Sequence, residues 1–95
     1  LEGNQNAQPR VFAHDALDLK PSVYTLGDRI PNTDSIGVAL YIGVGMDITV
    51  TLEGGSTPVL FKGVTAGSFL PVLAIKINAS SATLDAAGGE IIALY

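Results

Sequence analysis

The chain's single histidine, His14, stands beside Asp15, the one place where a base adjoins a carboxylate that could orient it. With Ser22, Ser35 or Ser68 brought in by the fold, the set has the residue types of a nucleophile, base and acid relay. Sequence neighbours do not easily form the imidazole–carboxylate bond, and serines are scattered throughout, so His14 reads as a surface-loop residue. Asp15 with Asp18, and Asp28 with Asp34, offer oxygens to calcium. Neither pair has the dense ligand spacing of a calcium loop, and both read as solvated carboxylates. Gly43-Val44-Gly45 matches the start of a dinucleotide fingerprint, but the third glycine is missing. It also leads into a strand pattern, so no helix N-terminus awaits a phosphate. Asn78-Ala79-Ser80 fits a glycosylation sequon, which matters only in a secreted chain. Leu1 to Gln8 has neither the basic start nor the apolar core of a signal peptide. No catalytic residue, metal site or cofactor is expected.

The remaining chemistry is aromatic. Tyr24, Tyr41 and Tyr95 with Phe12, Phe61 and Phe69 are the only aromatic side chains. Exposed tyrosines on a sheet could stack against sugars. Carbohydrate-binding sandwiches usually present tryptophan, of which there is none, so packing in a core or an interface is the expected role.

Composition narrows the class. Ninety-five residues make one small domain, burying roughly 60 to 65% of its surface on folding. Hydrophobic residues form 47% of the chain and charged residues 15%, below the roughly 25% charge usual in a soluble domain. Some apolar surface is therefore expected to meet a partner. Small domains often need a staple; with no cysteine and one histidine, neither a disulfide nor a zinc site supplies it. Oligomerisation is the staple left. A net charge of −4, with five bases scattered at Arg10, Lys20, Arg29, Lys62 and Lys76, gives no footprint for nucleic acid. No apolar run nears the ~18 residues of a membrane span, so neither a membrane nor nucleic acid is an expected partner.

These residues must be positioned by strands. Met46, Ile48, Val50 and Leu52 alternate with Asp47, Thr49, Thr51 and Glu53, which places one apolar face on a sheet. Ile36, Val38, Leu40 and Ile42 alternate in the same way, and Val44-Gly45 between the two runs predicts a hairpin. Further strands are expected at Val59 to Lys62, Phe69 to Asn78 and Glu90 to Tyr95, separated by Gly- and Ser-containing turns. In the long one, Phe69, Leu73, Ile75 and Ile77 share a face opposite Leu70 and Val72, so both faces should be covered at its start. Pro71, which has no N–H, suggests an edge or a bulge. Ala-Leu-Tyr occurs at Ala39 to Tyr41 and Ala93 to Tyr95, consistent with two similar strands pairing near the sheet centre.

Before Pro31-Asn32-Thr33-Asp34-Ser35 the pattern is irregular. Arg10 to Ala13 and Ser22 to Leu26 are strand candidates, and Lys20-Pro21 limits any helix to a turn around His14 to Leu19. The expected organisation is an N-terminal arm, residues 1–30, with one or two edge strands, followed by a β-sandwich domain, residues 31–95. The fold class is all-β: a small antiparallel sandwich or barrel of about 6–8 short strands.

Ala39-Leu40-Tyr41-Ile42-Gly43 followed by Met46 to Leu52, then Thr57-Pro58-Val59, Phe61, Gly63-Val64, Ala66-Gly67, Leu70-Pro71-Val72 and the ending Ile92 to Tyr95, form an ordered pattern. It resembles the small spike-base or head-decoration proteins of tailed phages and gene transfer agents. The likeness runs over roughly Pro31 to Tyr95, with departures at Val44-Gly45-Met46, where a more glycine-rich turn is usual, and in a longer loop from Asn78 to Gly89. The resemblance implies a non-enzymatic virion protein on the capsid surface, with partners that are copies of itself, capsid or other virion proteins and a fibre protein. The expected interface residues are Val11, Phe12, Val23 and Tyr24 on the arm, with Tyr41, Leu70, Val72 and Tyr95 on the sheet. The competing expectation is a carbohydrate-binding or fibre-tip β-domain.

Overall fold

A computed structural model describes residues 13–31 and 36–95. Among them are six strands: β1 (Ala16–Asp18), β2 (Val38–Ile42), β3 (Met46–Leu52), β4 (Val59–Val64), β5 (Ser68–Ser80) and β6 (Ile91–Leu94). All pairings are antiparallel, in the order β1-β6-β2-β5-β3-β4. The protein is all-β, and its sheet is compatible with a small sandwich or barrel.

The expected hairpin between β2 and β3 does not form, because β5 lies between them. Its first half pairs with β2, with Ser68 opposite Ile42 and Ala74 opposite Val38. Its second half pairs with β3, from Ala74 opposite Leu52 to Ser80 opposite Ile48. That arrangement forces curvature. A straight strand from Ser68 to Ser80 would run about 40 Å, yet its ends are tied to Ile42 and Ile48, which the connecting chain holds within about 21 Å. Register shifts supply the bend: β5 carries extra residues between Leu70 and Ala74 against β2, and at Ile75 and Asn78 against β3. Pro71 falls inside the first of these irregularities, where a missing N–H costs no ladder bond.

Folding the sheet along β5 brings Val38, Leu40, Ile42, Ile91 and Ala93 from one half against Met46, Ile48, Val50 and Ile77 from the other, in one cluster. The alternation of β3 is thus used as expected, with Ile48 and Val50 fully buried. In β5 the bulge at Ile75 changes the facing parity: Leu70, Val72, Ala74 and Ile77 point to the core, while Phe69 and Leu73 are each 49% exposed. The expected shared face of Phe69, Leu73, Ile75 and Ile77 is therefore divided, and the outer side at the start of β5 is uncovered among the described residues. The two Ala-Leu-Tyr strands do pair, Ala39 opposite Leu94 and Leu40 opposite Ala93.

The segment before residue 31 departs most from expectation. Ala16–Asp18 is a strand on β6, not a helical turn. Ser22 to Leu26 is not a strand: the Val23 and Tyr24 N–H groups both donate to the Lys20 carbonyl at 2.9 Å in one turn, and Asp28 N–H donates to the Thr25 carbonyl at 3.0 Å in the next. Residues 27–30 then take the edge of β5 that β2 leaves: Gly27 N–H donates to the Ile77 carbonyl at 2.8 Å and Ile30 N–H to the Ile75 carbonyl at 2.9 Å. Leu19, Tyr24 and Ile30 complete the core, so this stretch packs as part of the sheet domain. The strand expected over Arg10 to Ala13 lies almost wholly outside the described residues.

Tyr24 pins the turn. Its hydroxyl donates to the Asp28 carbonyl and accepts the Ile77 N–H at 3.1 Å. Burial pushes its pKa up, the bond to Ile77 opposes that shift, and the charge of Asp28 adds to it. The neutral hydroxyl is favoured in the folded chain, so this contribution is complete below the unfolded value near 10 and is lost as pH rises through the higher folded value. Tyr24→Phe should cost about 1–3 kcal/mol at neutral pH, by leaving Ile77 N–H and the Asp28 carbonyl unpaired, and should flatten the alkaline fall in stability. Urea unfolding of both proteins at neutral and alkaline pH checks this; parallel pH slopes would refute it.

Candidate functional site

The residues that could have formed a relay are not assembled. The His14 ring meets the Tyr95 ring edge-on, with centroids 6.5 Å apart. Asp15 uses its carboxylate on the neighbouring Ala16 N–H at 2.8 Å. Ser68 opens β5, its hydroxyl 2.8 Å from that of Thr65; Ser22 is exposed in the turn after Lys20, and Ser35 lies outside the described residues.

The carboxylates serve backbone instead. Asp18 accepts Gly89 N–H at 3.0 Å, Asp47 accepts Gly63 N–H at 2.8 Å, and Glu53 accepts Gly37 N–H at 2.6 Å. Each ties a turn or strand end to a distant segment. Among the described residues no group of three potential metal ligands occurs. Asn78 accepts the Thr51 hydroxyl at 2.9 Å from within β5, so the sequon is part of the sheet.

The expected interface residues divide. Val11 and Phe12 lie outside the described residues. Tyr24 is 4% exposed and belongs to the chain's own core, while Leu70 and Val72 face that core from β5. Tyr95 is half-buried against it. Val23 and Tyr41 keep exposed side chains. Of the three tyrosines, Tyr24 is buried and Tyr95 meets the His14 ring, while Tyr41 is exposed opposite Phe69 on β5.

Apolar exposure concentrates elsewhere, on β4 and the start of β5. Val59 and Leu60 on β4 are 46% and 53% exposed, and Phe69 and Leu73 on β5 are each 49% exposed. Leu52, Val59 and Leu73 line an open cleft of about 480 Å³, whose only charged lining residue is Glu53. These residues escaped selection from sequence because the bulges in β5 decide which of its two apolar faces is buried. One available signal was charge: from Gly54 to Leu84 the chain contains Lys62 and Lys76 but no Asp or Glu, so this surface lies in an acid-free stretch of an acidic protein. Comparison with protein-family models, with curated proteins and with solved structures finds no match.

Proposed function

We propose that the chain is a non-enzymatic structural protein of a virion, a spike base or decoration protein that assembles as a homo-oligomer, anchors to the capsid surface and carries a fibre. The observation that carries this reading is the apolar patch at the cleft where Val59 and Leu73 meet, with Leu60 and Phe69 also exposed on the same two strands, on a small domain without cysteine. Such a patch marks a binding surface more readily than a catalytic one. The carboxylates that bond backbone, and the separation of His14 from Ser68 on different strands' ends, fit a role in which shape and apolar contact do the work. The strand-and-turn likeness from Pro31 to Tyr95 supports the same assignment.

The test is co-purification. The chain, followed by peptide mass spectrometry, should band with intact virus-like particles in a density gradient after nuclease and salt washing, at a fixed ratio to the capsid protein. Its absence from washed particles would reject the proposal.

A further inference from the structure

We propose that β4 pairs edge to edge with β4 of a second copy of this chain, antiparallel about a two-fold axis at Leu60. The inference rests on the homo-oligomeric reading above and names the surface that joins the copies.

An edge strand presents a row of N–H and C=O groups that another strand can satisfy, and proteins usually blunt such edges with charge, proline, bulges or brevity. Three stretches of edge lack a strand neighbour among the described residues. The outer edge of β1 is three residues long, preceded by Asp15 and ended by Asp18. The first half of β5, on the side away from β2, has ladder contact from Leu73 onward, and Pro71 interrupts what remains. β4 is different: it ends the sheet with six residues, Val59 to Val64, and contains no proline and no acid. Its protective devices, Lys62 and the bulge where Gly63 adopts φ +66°, both sit at its far end. Val59 and Leu60 are left as an exposed apolar edge.

Charge selects a second copy as the occupant. Two molecules of net charge −4 repel over most of their surfaces, but β4 itself carries Lys62 and no acid, and the Asp47 carboxylate beside it accepts the Gly63 N–H. A strand paired with itself about a two-fold is isologous, so each contact occurs twice. With Leu60 opposite Leu60, Lys62 stands opposite the partner's Pro58, next to Val59 at the cleft that holds Glu53. The pairing thus brings a lysine from each copy toward an acid of the other and keeps the two lysines apart.

A six-residue edge buries less than the roughly 800 Å² per partner of a stable complex. The dimer should be a concentration-dependent equilibrium, strengthened when copies are held together on a surface.

The native chain has no cysteine, so a single introduced cysteine reports contact between copies. Cross-strand partners have Cα atoms about 4.5–5.5 Å apart, within disulfide reach. Under mild oxidation of the full chain, Leu60→Cys should dimerise at least about tenfold faster than Phe69→Cys, which places a similarly exposed thiol on β5. In sedimentation velocity the unmodified chain should associate with rising concentration, and Leu60→Lys should weaken that association by about tenfold or more, with its circular dichroism unchanged. Equal cross-linking rates, a monomer at every concentration, or Leu60→Lys associating like the unmodified chain would each overturn the inference. A chain that dimerises through Leu60 but never bands with particles would refute the virion assignment alone; a monomer that bands with particles would refute the pairing alone.

Discussion

Gly43→Ala is expected to lower the melting temperature by roughly 10–25 °C, equivalent to about 3 kcal/mol or more in a domain of this size. A Cβ at this position would lie 1.9 Å from the Gly89 carbonyl oxygen, well inside contact distance. The neighbour that must yield is backbone, held where it is: Gly43 N–H donates to the Glu90 carbonyl at 2.8 Å, and Asp18 accepts the Gly89 N–H. Relieving the overlap therefore means prising the end of β2 from the 88–90 turn. Gly54→Ala is the control, since an added Cβ there meets nothing within 4 Å; it should stay within about 0.5 kcal/mol of the parent. Thermal unfolding of the two variants checks the prediction, and similar melting temperatures would contradict it.

A chain beginning at residue 27 is expected not to fold. The division read from sequence, an arm over residues 1–30 and a sheet domain over residues 31–95, would place this cut outside the domain, but the structure puts part of the core before it. Leu19 is 1% exposed in the core, and Tyr24 is buried beside it. Losing large buried side chains costs about 2–5 kcal/mol each, so these two alone remove roughly 4–10 kcal/mol of the 5–15 kcal/mol that holds a typical domain. The truncation also strips β1 from β6, with the bonds from His14 and Asp15 N–H to the Tyr95 carbonyl at 2.8 and 2.9 Å, and leaves Ile77 N–H without its phenol acceptor. Circular dichroism and amide exchange of the truncated chain decide the matter: a cooperative transition near that of the full chain would show that residues 13–26 are dispensable. Leu19→Ala in the full chain gives the single-residue measure, with an expected loss of about 2–5 kcal/mol by urea unfolding.

How much of this was legible varies by residue. Val50, between two threonines in a strict alternation, declares its face because period two is a property of the extended backbone itself. The pairing of Ala39 to Tyr41 with Ile92 to Leu94 was readable from likeness. Tyr24 was not: the pattern Ser-Val-Tyr-Thr-Leu suits a strand, but the turn begun at Lys20 and the bonds to Asp28 and Ile77 prevail over local propensity. Leu73 and Ile77 carry the same type of side chain four residues apart, and a single bulge sends one to solvent and the other to the core.

The chain's own pattern determined that it is all-β, where most of its strands run and which residues of β3 are buried, because alternation, proline and glycine act within a few residues. Only the tertiary structure decided that β5 separates β2 from β3, that residues 19–30 belong to the core, and that β4 and the outer side of β5 carry the exposed apolar surface. Strand order depends on which distant segments can satisfy each other's hydrogen bonds once the sheet bends, and that balance of bulges and closure is not written in any one segment.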